Sequence, residues 1–199
     1  MIDSIKDYWY LWLVLVILIA VLVIVFQKAM KSAKKKSEIA ECQRKQMEKF
    51  KSFYEKYKNL DKTLAEKSDS IELAEGVTIV LQYQLEKSVN PDEEYKNAEN
   101  WRREVYALFY FDEDCKISLS FFFKNNCEPL PSVLMQGLKN IGMDKLYNIA
   151  SQMYAMYDDN NECVSIDKNK IEELDKKFSE VYVREDYFAV VKNYIISNL

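Results

Sequence analysis

The run "YWYLWLVLVILIAVLVIVFQ", Tyr8 to Gln27, contains no charged residue. At ~1.5 Å of rise per residue, a helix of that length reaches across the ~30 Å hydrocarbon core of a bilayer. Helix is the form in which every backbone N–H and C=O of such a run is satisfied within the segment itself. The flanks agree with a membrane reading. Tyr8, Trp9, Tyr10 and Trp12 form an aromatic belt at the start, and Lys28, Lys31, Lys34, Lys35 and Lys36 follow the end. Because positive charge stays inside, the expected topology has residues 1–7 as a short extracytoplasmic tail, 8–27 as a transmembrane helix and the rest in the cytoplasm. A cleaved signal peptide would begin with positive charge, carry a shorter apolar stretch and end at a small-residue site; here the run is too long, the lysines lie on its other side, and "FQKAMKSAKKK" offers no A-x-A site.

The rest of the chain reads as helical. Gly and Pro number three each, against 24 Tyr and Phe, too few turn formers for an all-β sandwich that reverses every dozen residues. The fold class expected is therefore all-α, one N-terminal transmembrane helix followed by a helical cytoplasmic domain. Residues 28–67 read as a basic juxtamembrane segment and a charged amphipathic helix. Phe50, Phe53, Tyr57, Leu60 and Leu64 fall along one seam of it. That seam either lies on the chain's own domain or pairs with a second copy as a membrane-proximal homodimer.

Residues 68–199 form the helical domain. "SIELAEGVTIVLQYQLEK" is expected to be a helix capped by Asp69 or Ser70, although "VTIVLQY" alone has strand character. "SVNPDEEYKN" reads as a loop because residues before proline avoid the helical region. Trp101, Val105, Leu108 and Phe109 recur at helical spacing, and Phe121, Phe122 and Phe123 follow. Three successive side chains on a helix cover more than half its circumference, so this run is expected to be packed on several sides. "CEPLPS" is a break, Ser132 caps the next helix, and Gly142 stops it. Leu146, Ile149, Ala150, Met153 and Tyr157 mark a buried stripe, "DDNNE" a polar loop, and two further helices run over "KNKIEELDKKFSEVYV" and "EDYFAVVKNYIISN".

The charge balance divides the chain. Residues 1–36 carry six Lys against two Asp, and the remainder carries 22 Lys and Arg against 30 acids. A positive head suits anionic lipid, whereas an acidic body without a basic, aromatic-interleaved cluster argues against direct nucleic-acid binding. Catalytic chemistry has little to work with. There is no histidine, no nucleophile elbow and no phosphate loop. Cys42, Cys115, Cys127 and Cys163 show no paired metal spacing and are expected to be reduced thiols. The acidic pairs Asp112 and Asp114, Asp158 and Asp159, and Glu185 and Asp186 lack the glycine spacing of an EF-hand and read as solvated surface charge. Neither an enzyme, nor a cofactor, nor a metal site is expected.

Four short segments carry a family resemblance: "FFFKN" at Phe121 to Asn125, "GLKNIGM" at Gly137 to Met143, "ELDKKF" at Glu173 to Phe178, and "NYI" at Asn193 to Ile195. In that order, from about Tyr106 to Leu199, the chain resembles the DNA mimic protein domain family. These are small, helical, acidic domains, mostly without an established activity. Where family members carry Asn-Gly-Gly, this chain has Lys116, Ile117 and Ser118, which reads as replacement of a glycine turn by regular helix.

Two functions follow as expectations. One is a membrane-anchored domain whose apolar grooves recruit a protein partner. The other, implied by the resemblance, is an acidic surface that binds a basic DNA-binding regulator through Asp158, Asp159, Glu162, Glu172, Glu173, Glu185 and Asp186. Asn125 reads as a local helix cap, with a binding contact as its second role.

Overall fold

The computed structural model describes the backbone of residues 9–157 and 168–199, with side chains undescribed at most positions from 9 to 38. The chain divides into two units, one ending at Phe50 and the other Lys51–Leu199. The first belongs to helix α1 (Trp9–Tyr57). Lys45 pairs with Glu41 at 2.9 Å and Arg44 with Glu48 at 3.7 Å, each one helical turn apart and exposed. Among the described residues no helix is long and apolar enough to cross a membrane. The expected span of residues 8–27 and its belt and lysines fall largely outside the described side chains, with Lys28, Lys34 and Lys36 exposed.

The second unit holds nine further helices among the described residues: α2 (Lys62–Lys67), α3 (Ser70–Lys87), α4 (Pro91–Asn97), α5 (Asn100–Cys115), α6 (Leu119–Asn125), α7 (Leu130–Asn140), α8 (Asp144–Tyr154), α9 (Lys168–Val181) and α10 (Arg184–Ser197). Helix α5 is the centre, packed by α3, α6, α7 and α10. Its buried stripe of Trp101, Val105, Leu108 and Phe111 meets Leu134 and Leu138 of α7 and Leu73 and Val77 of α3 in one core. Helices α8 and α9 pack together and close over α6.

The phenylalanine run belongs to this core. Phe122 and Phe123 are fully enclosed, with Phe122 edge-on to Phe111 at 5.4 Å and Phe123 stacked on Tyr154 at 5.7 Å. Phe121 is only half-buried. Edge-on aromatic pairs align the positive ring edge with a negative ring face, which adds to the burial.

Several local expectations need correction. The charged helix does not run through residue 67: it ends at Tyr57, and Asp61 starts α2 by accepting the Leu64 N–H at 2.7 Å. Tyr57 is thereby fully buried in the domain's own core, and Phe53, Leu60 and Leu64 pack against that core half-buried. "VTIVLQY" needs no such correction: it is helical as expected, within the helix capped by Asp69, whose carboxylate accepts the N–H groups of Ile71 and Glu72. Residues 91–97 are helix rather than loop, because Pro91 occupies the first turn, where a missing N–H costs nothing, and Asn90 caps it. Ser132 does not cap α7; its hydroxyl donates to the Pro129 carbonyl, and the helix starts at Leu130.

Lys116 to Ser118 form a turn, not regular helix. The chain can turn there without glycine because Lys116 lies at φ −58 and Ser118 at φ −170, both ordinary for any side chain. Gly142 does stop α7, at φ 72, in the left-handed region that favours glycine.

Helix α10 closes the domain. Val191 and Ile195 are fully buried, and Lys192 donates to the carbonyls of Glu66 (2.8 Å) and Ser68 (2.6 Å) at the end of α2. Tyr194 donates to the carboxylate of Glu104, which also receives the Asn140 amide.

Candidate functional site

Helix α9 gives way to α10 through Tyr182 and Val183, the latter extended at φ −120, ψ 113. Successive side chains of extended backbone point to opposite sides. Tyr182 and Arg184 turn inward to one carboxylate: the Tyr182 hydroxyl and the Arg184 Nε both donate to Asp112, and Arg184 Nη2 reaches its second oxygen at 2.8 Å. Val183, between them, therefore faces outward and is 50% exposed, beside Val181 at 38%.

These valines form one wall of a cavity of about 540 Å³. The opposite wall is the turn from α7 into α8, with Ile141, Met143 and Leu146. Gly142 makes that turn tight: its φ of 72 lets the Met143 N–H reach back to the Leu138 carbonyl at 3.1 Å. Asp144, Lys145 and Asp186, all exposed, stand at the cavity's rim. An apolar trough with two carboxylates and one ammonium on its edge can bury a hydrophobic side chain and meet polar groups beside it.

Asp112 corrects the reading of that acid as solvated charge. It is 1% exposed, lies one turn beyond Leu108 on the buried stripe, and is held by a bidentate guanidinium. Hydrogen bonding to Asp112 holds the Arg184 pKa above its ordinary value. Burial, followed by the bond to Asp112 and its charge, pushes the Tyr182 phenol up. Burial also raises the Cys115 thiol, so it is not a thiolate nucleophile at neutral pH.

Of the acids and amide singled out from sequence, the described ones lie on three helices. Asp158, Asp159 and Glu162 lie outside the described residues. Glu172 and Glu173 are exposed on α9, where Lys177 approaches Glu173 at 2.5 Å and Lys170 at 3.7 Å. The bond from Lys177 and the charges of both lysines lower the Glu173 pKa. Glu185 and Asp186 sit in the first turn of α10, and of these Asp186 reaches the trough. Asn125 donates to the Phe121 carbonyl at 2.8 Å, a local cap at the end of α6. Sequence reasoning overlooked Asp144 and the outward valines; the alternation of Val181, Tyr182, Val183 and Arg184 was the available signal.

Buried phenols make a testable pH limit. Burial first pushes Tyr95 and Tyr194 from the ordinary 10.0 to about 12, with the Glu104 bond adding to Tyr194. A phenol whose folded pKa is raised contributes stability that is complete below pH 10 and lost as pH climbs through the folded value. Phenolate absorbance from these two tyrosines is therefore expected to appear together with loss of helical circular dichroism towards pH 12. A single non-cooperative rise near pH 10 would contradict the burial.

The motif residues serve the interior. Asp175 of "ELDKKF" accepts the Ser120 backbone N–H at 2.8 Å and its hydroxyl at 2.7 Å, pinning α9 to the start of α6, while Leu174 and Phe178 are buried. Tyr194 and Ile195 of "NYI" are the contacts of α10 described above. Neither a curated protein nor a solved structure matches the chain. The family model of DMP19-like protein matches residues 97–198. That span is just over half of the chain and holds the central helix and all four motifs, so the chain belongs to the DMP19-like protein family.

Proposed function

We propose that this chain is a membrane-anchored protein-interaction domain that takes up an apolar segment of a partner in the trough between the α7–α8 turn and the α9–α10 junction. The observation that carries the reading is the outward pair Val181 and Val183, 38% and 50% exposed while their inward neighbours are clamped on Asp112. Exposed valines over a cavity of about 540 Å³ are apolar surface that binding would remove from water. The anchor rests on the uncharged run of residues 8–27 with its aromatic start and lysine-rich end, and the domain would face the cytoplasm.

Partner capture with the full chain in lipid nanodiscs tests the trough. Val183→Asp is expected to reduce recovery at least tenfold, whereas Glu185→Gln and a high-salt wash change it little. Protease added outside intact cells is expected to leave residues 37–199 uncut.

Acidic mimicry is the second reading, favoured by the family and by exposed Glu172, Glu173, Glu185 and Asp186. It predicts binding to a basic regulator that weakens steeply with salt. The lysines interleaved on α9 speak against it, because Lys170, Lys176 and Lys177 each pair with an acid there and break up a single-sign row. Recovery of a DNA-binding protein lost at high salt and indifferent to Val183→Asp would replace the trough reading with this one.

A further inference from the structure

A second cavity, of about 460 Å³, lies where α3, α4 and the "CEPLPS" break meet. Its wall is mainly apolar: Leu85, Pro91, Pro129 and Leu130, with the tyrosines Tyr95 and Tyr106. The two rings stand edge-on, 5.9 Å apart. Tyr95 is 9% exposed, and its buried hydroxyl meets no hydrogen-bond partner among the described residues. A buried hydroxyl without a partner costs about 1–3 kcal/mol, so a ligand that supplies one has a ready source of affinity and direction.

Charge narrows the ligand. Asp92 and Glu128 line the cavity against one ammonium, Lys96, with the Arg103 guanidinium over the Tyr95 ring at 6.0 Å, and Glu93 and Glu94 are exposed on the same short helix as Asp92. Glu128 also accepts the Tyr154 hydroxyl. Carboxylates beside two tyrosine rings favour a Lys or Arg side chain, which gains both from the charges and from the ring faces. Val89, two residues before Pro91 in the chain, is fully exposed. A ligand that covers both it and the cavity is extended rather than compact.

We infer that this cavity is a peptide-docking site, which takes an extended partner segment with an apolar side chain next to a Lys or Arg, one of whose backbone carbonyls accepts the Tyr95 hydroxyl. The inference rests on the interaction-domain reading but on a different surface from the valine trough. Leu85, Pro91, Asp92, Tyr95 and Lys96 precede the family-matched residues 97–198, so this chain supplies half of the site from outside the family segment. Raised to about 12 by burial, the Tyr95 phenol remains a hydrogen donor throughout the physiological range.

The test is selection of a displayed random heptapeptide library on the full chain in nanodiscs, with empty nanodiscs as background. Enrichment of sequences that place Lys or Arg beside an aliphatic or aromatic residue is expected. A synthetic peptide from that pool is expected to bind Tyr95→Phe about two- to tenfold more weakly, from loss of one hydrogen bond. Asp92→Lys, an exposed change that leaves the core alone, is expected to weaken it further at low salt than at high salt. Circular dichroism confirms that both variants fold. No enrichment over empty nanodiscs overturns the inference, as does a peptide that binds both variants like the parent. Peptides lost with Val183→Asp and kept with Tyr95→Phe overturn it too, while leaving the trough reading standing; the converse pattern supports the inference and leaves the trough to its own test.

Discussion

Arg184→Ala is expected to destabilise residues 51–199 by about 2–4 kcal/mol, somewhat below the ~3–5 kcal/mol of a fully buried pair, because water reaches the guanidinium. The Arg184 side chain is 36% exposed, but Asp112 is at 1%, so the variant strands a carboxylate in the core with the Tyr182 hydroxyl as its remaining described donor. The cost lies in the orphaned charge more than in the lost attraction. Asp112→Asn combined with Arg184→Ala is therefore expected to recover more than half of the loss in urea denaturation, although it removes both partners. Arg184→Lys restores charge without the planar fork and should recover less than half. If the double variant is as unstable as the sum of its parts, the pair is not a coupled clamp. The same experiment reports on function, because Tyr182 and Arg184 fix the outward aim of Val183; partner recovery should fall in Arg184→Ala even where the domain remains folded.

Gly76→Ala is the second large effect. A Cβ built at Gly76 would sit 2.2 Å from Cδ2 of Tyr57, inside any real contact distance, and two further ring atoms follow at 2.5 and 2.6 Å. The ring has nowhere to go: Tyr57 is fully buried and its hydroxyl donates to Ser68 Oγ at 3.1 Å. Overpacking costs ~1–3 kcal/mol in general, and with a rigid ring as the obstacle about 3 kcal/mol is expected. For a domain of this size that lowers the melting midpoint by roughly 6–12 °C. Tyr57→Leu in the Gly76→Ala background is expected to restore part of the stability by vacating the space, despite being destabilising alone. Equal melting of parent and Gly76→Ala would mean that the last turn of α1 does not insert its tyrosine there.

Helix positions with a period were legible from sequence because one face is buried. The stripe Trp101, Val105, Leu108 and the paired final helices needed only spacing, and Gly142 needed only its backbone freedom. Interruptions were harder to read. The break at residues 58–61 carries no Gly or Pro, and its cause is Asp61, a cap whose preference is weak until Tyr57 and Leu64 have separate places in the core. Acids were misread for a related reason. Asp112 looks like any charged surface residue until Arg184, 72 positions later, is brought beside it. The trough was invisible for the same cause, since it joins residues 141–146 to residues 181–190. Asp186 was named on charge alone, and Asp144, which lines the same trough, was not named among the site residues.

The position of α10 has a bearing on how the protein is made. Chains emerge from the ribosome N-terminus first, and each domain completes only when its final contacts are available. Here Val191 and Ile195 cover the core, Lys192 ties off the end of α2, and Tyr194 satisfies the buried Glu104. All of these arrive after the hydrophobic run of residues 8–27 has already left the ribosome. That run is thus outside the ribosome while the domain's apolar face is still unfinished. Ribosomes stalled before Lys192 should hold the domain open to proteases and chaperones, and release of the last helix should end that exposure in one step.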